Sequence, residues 1–272
     1  ATAIPGNNLL LSNHSYGFSF SGSCNLTNNL LAYESISRNT DINLNNFPSH
    51  LHVHSAGNSG GSCPGGFHTI TGSGKAAKNN LVVADITTTE ALAGSSSRGP
   101  VQDGRIKPEI SAMGSSVFST WIPGNSYATL SGTSMATPGV TGSSALLYQR
   151  YKQLNGNSNP PSSLIKNILC NAAADLGNPG PDYTFGFGRI NALAAVEILE
   201  ENRYTVNTVA TGGFNDATIT VPAGAVRLRA MLTWNDPAGA TNANPALVNN
   251  LDLSVINGAN TTLPWIMDKD NP

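Results

Sequence analysis

One serine in the sequence stands among small residues at the point where helix-spaced apolar positions begin. Ser134 lies in Gly132-Thr133-Ser134-Met135-Ala136-Thr137-Pro138, and apolar residues then recur through Val140, Ala145 and Leu146. Pro138 suits the first turn of a helix, where its missing N–H costs no hydrogen bond. Unpaired N–H groups and the positive end of the helix dipole favour negative charge near a serine oxygen at such a position. The pattern therefore fits either an N-cap or a nucleophile.

A serine nucleophile needs a neighbouring base, which is most often a histidine held by a carboxylate. The chain has five histidines, all of which precede Ser134 in the sequence: His14, His50, His52, His54 and His68. This order excludes an α/β-hydrolase, in which the histidine follows the serine, and the second glycine of the hydrolase elbow is also missing. The serine surroundings of chymotrypsin-type enzymes, whose order is His, then Asp, then Ser, are absent too. The order that stays compatible is Asp, then His, then Ser.

Three of the histidines share one face of a predicted strand, because His50, His52 and His54 are two residues apart. Three such side chains can bind a metal. We favour an ordinary strand here, since the segment leads directly into the glycine-rich turn Ala56-Gly57-Asn58. His14 and His68 lie in predicted loops without an identifiable partner. No metal ligand is therefore predicted.

Strands alternate with helices up to about residue 202, and this alternation must position the serine. Continuous apolar or β-rich runs predict strands at 8–13, 49–55 and 80–86, and helical spacing predicts helices at 26–45, from the serine to about 147, at 162–173 and at 191–201. Polar loops follow the strands. The alternation predicts a parallel sheet with helices on both faces, which is an α/β fold.

The pattern changes to period two after Asn202. Strands are predicted at 204–210, 217–221, 226–234 and 251–256, separated by turns. We therefore predict two domains, an α/β domain at 1–202 and an antiparallel β domain at 203–272.

Composition excludes several classes of partner. Charged residues make up 11% of the chain, the net charge is −2, and no cluster of lysine and arginine occurs, so nucleic acid is not a predicted partner. No apolar run approaches the length of a membrane-spanning helix. Cys24 and Cys63 lie in polar loops and could pair in an oxidising compartment, whereas Cys170 lies in a predicted helix and is expected to be a buried thiol.

The stretch around Ser134 closely resembles the nucleophile motif of the subtilisin-like serine peptidases, although Gly139 replaces the histidine that often follows the proline. Ser55-Ala56-Gly57-Asn58-Ser59-Gly60 resembles a second motif of that family. The resemblance implies that Ser134 is the nucleophile. It also implies that the Asn58 amide and the backbone N–H of Ser134 stabilise the oxyanion.

Substrate contacts follow from the same resemblance. Ser15-Tyr16-Gly17 is similar to the strand end that pairs with the extended peptide substrate, and Ser55-Ala56-Gly57 to the opposite wall of the S1 pocket, with Thr133 beside the nucleophile. Tyr16 replaces a leucine of the family and should alter the pocket wall.

The resemblance extends along most of the chain. Arg98-Gly99-Pro100, the segments at 107–110 and 111–114, and the segment at 185–192 are similar to other family segments, and those at 234–237 and 247–253 resemble a β-sandwich that follows the peptidase domain in some members. The family's Asp-Thr/Ser-Gly and His-Gly-Thr-His motifs do not occur here. We therefore expect the triad Asp and His, and the first strands of the sheet, to lie upstream. The β-sandwich is expected to continue beyond Pro272.

These resemblances predict a secreted or cell-surface serine endopeptidase that acts on proteins or peptides. No cofactor is predicted to be required. Structural calcium is common in the family, but no Asp-rich loop locates a site. The chain by itself is expected to be inactive. The alternative is a protease-like protein that has lost catalysis and serves as a binding or adhesion module. Oligomeric state is not determined by the sequence.

Overall fold

A four-stranded parallel sheet lies at the centre of the computed structural model, which describes residues 9–272. The strands are β1 (Leu11–His14), β2 (Leu51–Ser55), β3 (Leu81–Ile86) and β4 (Ile110–Met113), and they lie side by side in that order. Because all neighbours run parallel, the loops that follow the strands emerge at one edge. The predicted parallel sheet is confirmed.

Within residues 9–272, four α-helices accompany the sheet: α1 (Ser35–Asn46), α2 (Thr133–Leu154), α3 (Ser162–Asn171) and α4 (Ala192–Glu200). Helix α2 packs across all four strands and contacts α3 and α4. Val83 belongs to the core beneath these helices, whereas its neighbour Val82 belongs to a second cluster with Ala56 and Ile70. Since successive residues of a strand point to opposite faces, both faces of the sheet are covered.

An antiparallel hairpin that the sequence analysis did not predict connects β4 to α2. It consists of β5 (Val117–Trp121) and β6 (Ser126–Leu130), and the rings of Phe118 and Tyr127 stack across it with centroids 5.4 Å apart. Most of its side chains are exposed. The hairpin therefore lacks the buried apolar face that would have marked it in the sequence.

The segment after α4 has little regular structure. Its ladder, within the described part of the chain, joins β7 (Val255–Asn257) to β8 (Asn260–Thr262), which is consistent with an additional antiparallel β domain. The stretches 204–210, 217–221 and 226–234 do not form strands. Most of their apolar side chains, such as Val226, are exposed, while Tyr204 and Met231 pack against the core. Alternation creates a strand only where a neighbouring strand satisfies its backbone groups, and these stretches have none. The domain boundary near residue 202 stays a prediction.

A buried polar cluster attaches this segment to the α/β part. The carboxylate of Asp236 forms an ion pair with Lys78 and accepts hydrogen bonds from the backbone N–H groups of Val248 and Asn249, each at 2.8 Å. Asn79 pairs with the backbone of Asp236 through two 2.9 Å hydrogen bonds. The tryptophan-containing motif at 234–237 thus serves as an attachment point.

The three cysteines differ in state. Cys24 and Cys63 form a disulfide, and Cys170 is a buried free thiol, as the helix pattern predicted. Burial raises the pKa of Cys170 to about 12. No helix within residues 9–272 combines the length and apolar character needed to span a membrane.

Candidate active site

Ser134 lies in the first turn of α2, immediately after a backbone bend. Gly132 has φ +146°, a conformation that L side chains rarely adopt, and it turns the chain from β6 into the helix. Ser134 Oγ donates a hydrogen bond to the carbonyl oxygen of Ser15 at 3.3 Å, and Ser15 Oγ donates to the carbonyl oxygen of Ser134 at 3.1 Å. These reciprocal contacts fix the start of α2 against the loop that follows β1.

Asn58 lies in the turn after β2, and its side chain is held by the residue before the serine. Asn58 Oδ1 accepts hydrogen bonds from both the backbone N–H and the hydroxyl of Thr133, each at 2.9 Å. The same hydroxyl accepts a 3.1 Å hydrogen bond from the N–H of Gly57. Within residues 9–272 the Asn58 side chain makes no other hydrogen bond, so its Nδ2 hydrogens are available to a ligand.

Gly132 and Asn58 depend on each other sterically. A Cβ atom on Gly132 would lie 3.0 Å from Asn58 Nδ2. The glycine therefore has two functions, since it permits the bend and leaves room for the amide. Beside this amide lies the backbone N–H of Ser134, which has no hydrogen-bond acceptor among the described residues, as is typical of the first turn of a helix.

The two predicted wall segments follow adjacent strands. Ser15, Tyr16 and Gly17 come directly after β1. Ser55 ends β2, and Ala56 and Gly57 follow it, so strand pairing brings both segments to the edge where Ser134 lies. The Tyr16 side chain is 60% exposed. The structure therefore brings the nine predicted site residues to one edge of the sheet, but the side chains of Ser55 and Ala56 are buried there, and Ala56 belongs to the second core cluster.

None of the five histidine rings is hydrogen-bonded to Ser134 Oγ. The rings of His14 and His52 stack with centroids 3.6 Å apart, and His14 bonds through Nδ1 to the Tyr16 hydroxyl at 2.6 Å and through Nε2 to Ser12 Oγ at 2.7 Å. Burial, followed by the nearby His50, lowers the pKa of His14 to about 4. Burial also lowers the pKa of His54 to about 3. His14 and His54 are therefore uncharged at neutral pH.

The histidine face is not arranged around a cation either. Among the described residues no group of three His, Cys, Asp or Glu side chains is placed to hold a metal ion. The rings of His14, His52 and His54 contact one another and the Tyr16 ring, as expected of side chains packed along neighbouring strands.

Two buried charged groups near the site were missed by the sequence analysis. Asp85 lies on β3 and accepts hydrogen bonds from the Ser115 hydroxyl, and burial raises its pKa. Its carboxylate lies against Gly114, where a Cβ atom would be 2.8 Å away. An acidic residue within an apolar strand is a feature that the sequence shows and that could have identified Asp85.

Lys75 is 2% exposed, and its ammonium lies between Gly17 and Gly57. It carries no sequence signal, because a lysine in a glycine-rich loop is ordinarily solvated.

Comparison with known proteins places this geometry in a family. The model of the Subtilase family matches residues 3–188. Subtilisin DY of Bacillus licheniformis is 36% identical over 145 residues, which are 53% of this chain and 46% of that protein. Pyrolysin of Pyrococcus furiosus is 42% identical over 114 residues, which are 39% of this chain and 8% of that protein. The chain thus spans about half, or much less, of the length of these relatives.

Solved structures show the same fold. The self-cleaved protease domain of PatA superimposes with a TM-score of 0.57 at 22% sequence identity, covering 74% of this chain and 65% of that domain. The patellamide maturation protease PatA gives a TM-score of 0.58 at 22% identity.

Proposed function

The chain belongs to the subtilase family, and we propose that it carries the nucleophile, the oxyanion site and the substrate-binding strand ends of a serine endopeptidase. One observation carries the proposal. Ser134 in the first turn of α2 and Asn58 in the turn after β2 are linked through Thr133, which holds the asparagine amide by two 2.9 Å hydrogen bonds.

The proposed chemistry begins with attack of Ser134 Oγ on the carbonyl carbon of a peptide bond, while a base takes the hydroxyl proton. Charge develops on the carbonyl oxygen. Asn58 Nδ2 and the backbone N–H of Ser134 would donate hydrogen bonds to it, and the helix N-terminus would add its positive potential. The tetrahedral intermediate then expels the amine, which takes the proton from the protonated base. Water hydrolyses the acyl-enzyme by the reverse sequence of proton transfers.

The base is proposed to come from a part of the protein outside these 272 residues. The hydrogen bonds of the histidines support this proposal. Both ring nitrogens of His14 bond to other side chains, and Ser134 Oγ contacts a carbonyl oxygen instead of an imidazole. The chain by itself is therefore proposed not to hydrolyse peptides. Calcium is not required by any step.

The substrate is proposed to be a protein or peptide in extended conformation. The loop after β1 offers the backbone groups of Tyr16 and Gly17, which make no hydrogen bond within residues 9–272, as β-augmentation requires. On the β2 side, the N–H and the carbonyl oxygen of Gly57 are already bonded to Thr133 and Ser97. Secretion or display at the cell surface is also proposed. The Cys24–Cys63 disulfide supports this location, since disulfides persist in oxidising compartments.

The test is active-site labelling of the full-length natural protein with a fluorophosphonate probe, followed by peptide mapping and a peptidase assay. We expect the probe on Ser134 and expect Ser134→Ala to abolish both labelling and hydrolysis. Ser144→Ala is the matched control, because Ser144 lies buried in the same helix and bonds only to the carbonyl oxygen of Val140. Labelling of the folded full-length protein at no serine would refute the proposal and favour the inactive binding or adhesion module.

A further inference from the structure

The side chain of Lys75 ends between the two proposed pocket walls. A Cβ atom on Gly17, after β1, would lie 2.7 Å from Lys75 Nζ, and one on Gly57, after β2, would lie 3.1 Å from it. The ammonium thus lies against both walls at once. Glycine at both positions leaves the space that a lysine tip occupies.

The ammonium has little to neutralise it. Lys75 Nζ donates one hydrogen bond, to the carbonyl oxygen of Thr71 at 3.1 Å, and forms no ion pair within residues 9–272. The ammonium of Lys75 has three N–H donors, the residue is 2% exposed, and one acceptor within residues 9–272 bonds to these donors.

The other lysines with buried ammonium groups show what is unusual about this one. Lys78 pairs with Asp236, while Lys107 and Lys166 both pair with Glu109. A buried charge ordinarily has such a partner, because desolvation without one is costly. Lys75 is as buried as these lysines, but no carboxylate among residues 9–272 forms an ion pair with it.

The titratable groups on the neighbouring elements do not supply the missing charge. His54 faces Lys75 from β2, and burial lowers the pKa of this histidine to about 3, so it carries no charge at neutral pH. The Tyr16 ring packs against His54 with centroids 5.5 Å apart. Glu34, at the N-terminus of α1, uses its carboxylate to cap that helix and to accept the N–H of Gly74 at 2.9 Å. The Glu34 carboxylate is thus already engaged by backbone N–H groups.

We propose that Lys75 is the specificity-determining residue of the S1 pocket and that the pocket selects substrates with a glutamate or aspartate side chain on the acyl side of the scissile bond. This inference rests on the proposed function, since the walls define a substrate pocket only if Ser134 attacks the peptide between them. The incoming carboxylate supplies the counter-charge that the folded protein lacks. An aliphatic or aromatic side chain would instead leave the ammonium desolvated and unpaired.

The experiment measures kcat/KM of the full-length enzyme on succinyl-Ala-Ala-Pro-X-p-nitroanilides in which X is Glu, Gln or Phe. We expect Glu to exceed its neutral isostere Gln by about 30-fold or more, as a buried charge pair requires. Lys75→Met, of similar length but uncharged, should reduce that ratio to about one. Lys269→Met is the control, because this lysine is exposed, and it should leave the ratio unchanged.

The pH dependence of the Glu/Gln ratio gives a second measurement that needs no variant. Burial lowers the pKa of Lys75 to about 8, so the ratio should fall as pH rises through about 8. It should also fall below about pH 4.3, where the substrate carboxyl is protonated. Because both substrates use the same catalytic groups, the titration of the catalytic base cancels in the ratio.

The outcomes separate this inference from the proposed function. Hydrolysis and Ser134 labelling together with a Glu/Gln ratio near one would overturn the inference and leave the function standing. Absence of hydrolysis would overturn the function. Calorimetry with the product peptide acetyl-Ala-Ala-Pro-Glu would then test whether Lys75 binds an acidic side chain between the two walls. Binding tighter than that of the Gln peptide and lost in Lys75→Met supports the pocket, and equal binding refutes it.

Discussion

Replacement of Thr133 by valine tests whether the asparagine amide acts through its orientation. The Thr133 hydroxyl donates to Asn58 Oδ1 at 2.9 Å and accepts from the N–H of Gly57 at 3.1 Å. Valine keeps the shape and removes both hydrogen bonds, and it leaves the second contact to Oδ1, from the backbone N–H of residue 133, in place. The amide then has one fixed bond and more rotational freedom.

The magnitude follows from these contacts. A net value of roughly 0.5–1.5 kcal/mol for one orienting hydrogen bond corresponds to a decrease in kcat of about 2- to 10-fold. The upper limit is the whole effect of the amide, about 10²–10³ in kcat, a figure measured on a member of this enzyme family. The unpaired N–H of Gly57 should lower the free energy of unfolding by roughly 1–3 kcal/mol.

The assay is a double-mutant cycle on the full-length enzyme, with kcat measured at saturating peptide substrate for Thr133→Val, Asn58→Leu and the double variant. We expect Thr133→Val to lower kcat in the parent and to have no further effect once Asn58 is leucine. KM should change little, because the oxyanion exists only after attack.

Thr137→Val is the matched control. Thr137 is also fully buried in α2, and its hydroxyl bonds to the carbonyl oxygen of Thr133 at 2.6 Å without touching Asn58. It should leave kcat within about twofold of the parent, since its loss removes a hydrogen bond of modest net value. If Thr133→Val lowers kcat equally in the Asn58→Leu background, the amide is not oriented through this hydroxyl and the reasoning is refuted.

Three further predictions address attachment, covalent linkage and backbone conformation. Asp236→Ala leaves a buried ammonium unpaired, so urea unfolding should show a loss of roughly 3–5 kcal/mol, and an unchanged midpoint would contradict the attachment role. Replacing Cys24 and Cys63 by serine opens a linkage spanning 39 residues and should cost about 4 kcal/mol on the chain-entropy account, detectable as a lower thermal midpoint than that of the parent. Gly132→Ala places a Cβ atom 3.0 Å from the proposed oxyanion amide and should lower kcat by about tenfold or more, whereas Gly142→Ala, with open space around it, should not; equal kcat values would contradict the steric argument.

The sheet and the serine turn were predictable because their signals are local. β3 is buried along its whole length and is apolar except for Asp85, and the small residues before Ser134 mark a tight turn into a helix. The gathering of the predicted site residues then follows from topology, since parallel strands place their following loops at one edge. Element ends were less well predicted, as α2 continues to Leu154 and not only to about residue 147.

The segment after residue 202 shows where local patterns fail. Apolar and polar residues alternate at 217–221 and 226–234 as they do in a strand. A strand forms, however, only where a second strand lies alongside and pairs with its backbone. In the described part of the chain those stretches have no paired strand, and 226–234 contacts helix α3 instead. Val255–Asn257, in contrast, turns back on Asn260–Thr262 and pairs. The hairpin of β5 and β6 is the converse case, because a partner is present and the alternation is weak.

Lys75 could not have been predicted, and its energetics make one more outcome testable. Burial lowers its folded-state pKa to about 8, below the ordinary value of 10.5. Between these two values the unfolded chain binds more protons, so the free energy of unfolding should rise with pH over that window. Lys75→Met lacks this contribution. Substrate-free Lys75→Met should therefore be at least as stable as the parent at pH 7, and its advantage should shrink towards pH 10 in urea unfolding followed at both pH values. A parent protein that is more stable than the variant at pH 7 would mean that the ammonium already has a partner, and the argument that substrate supplies one would fail.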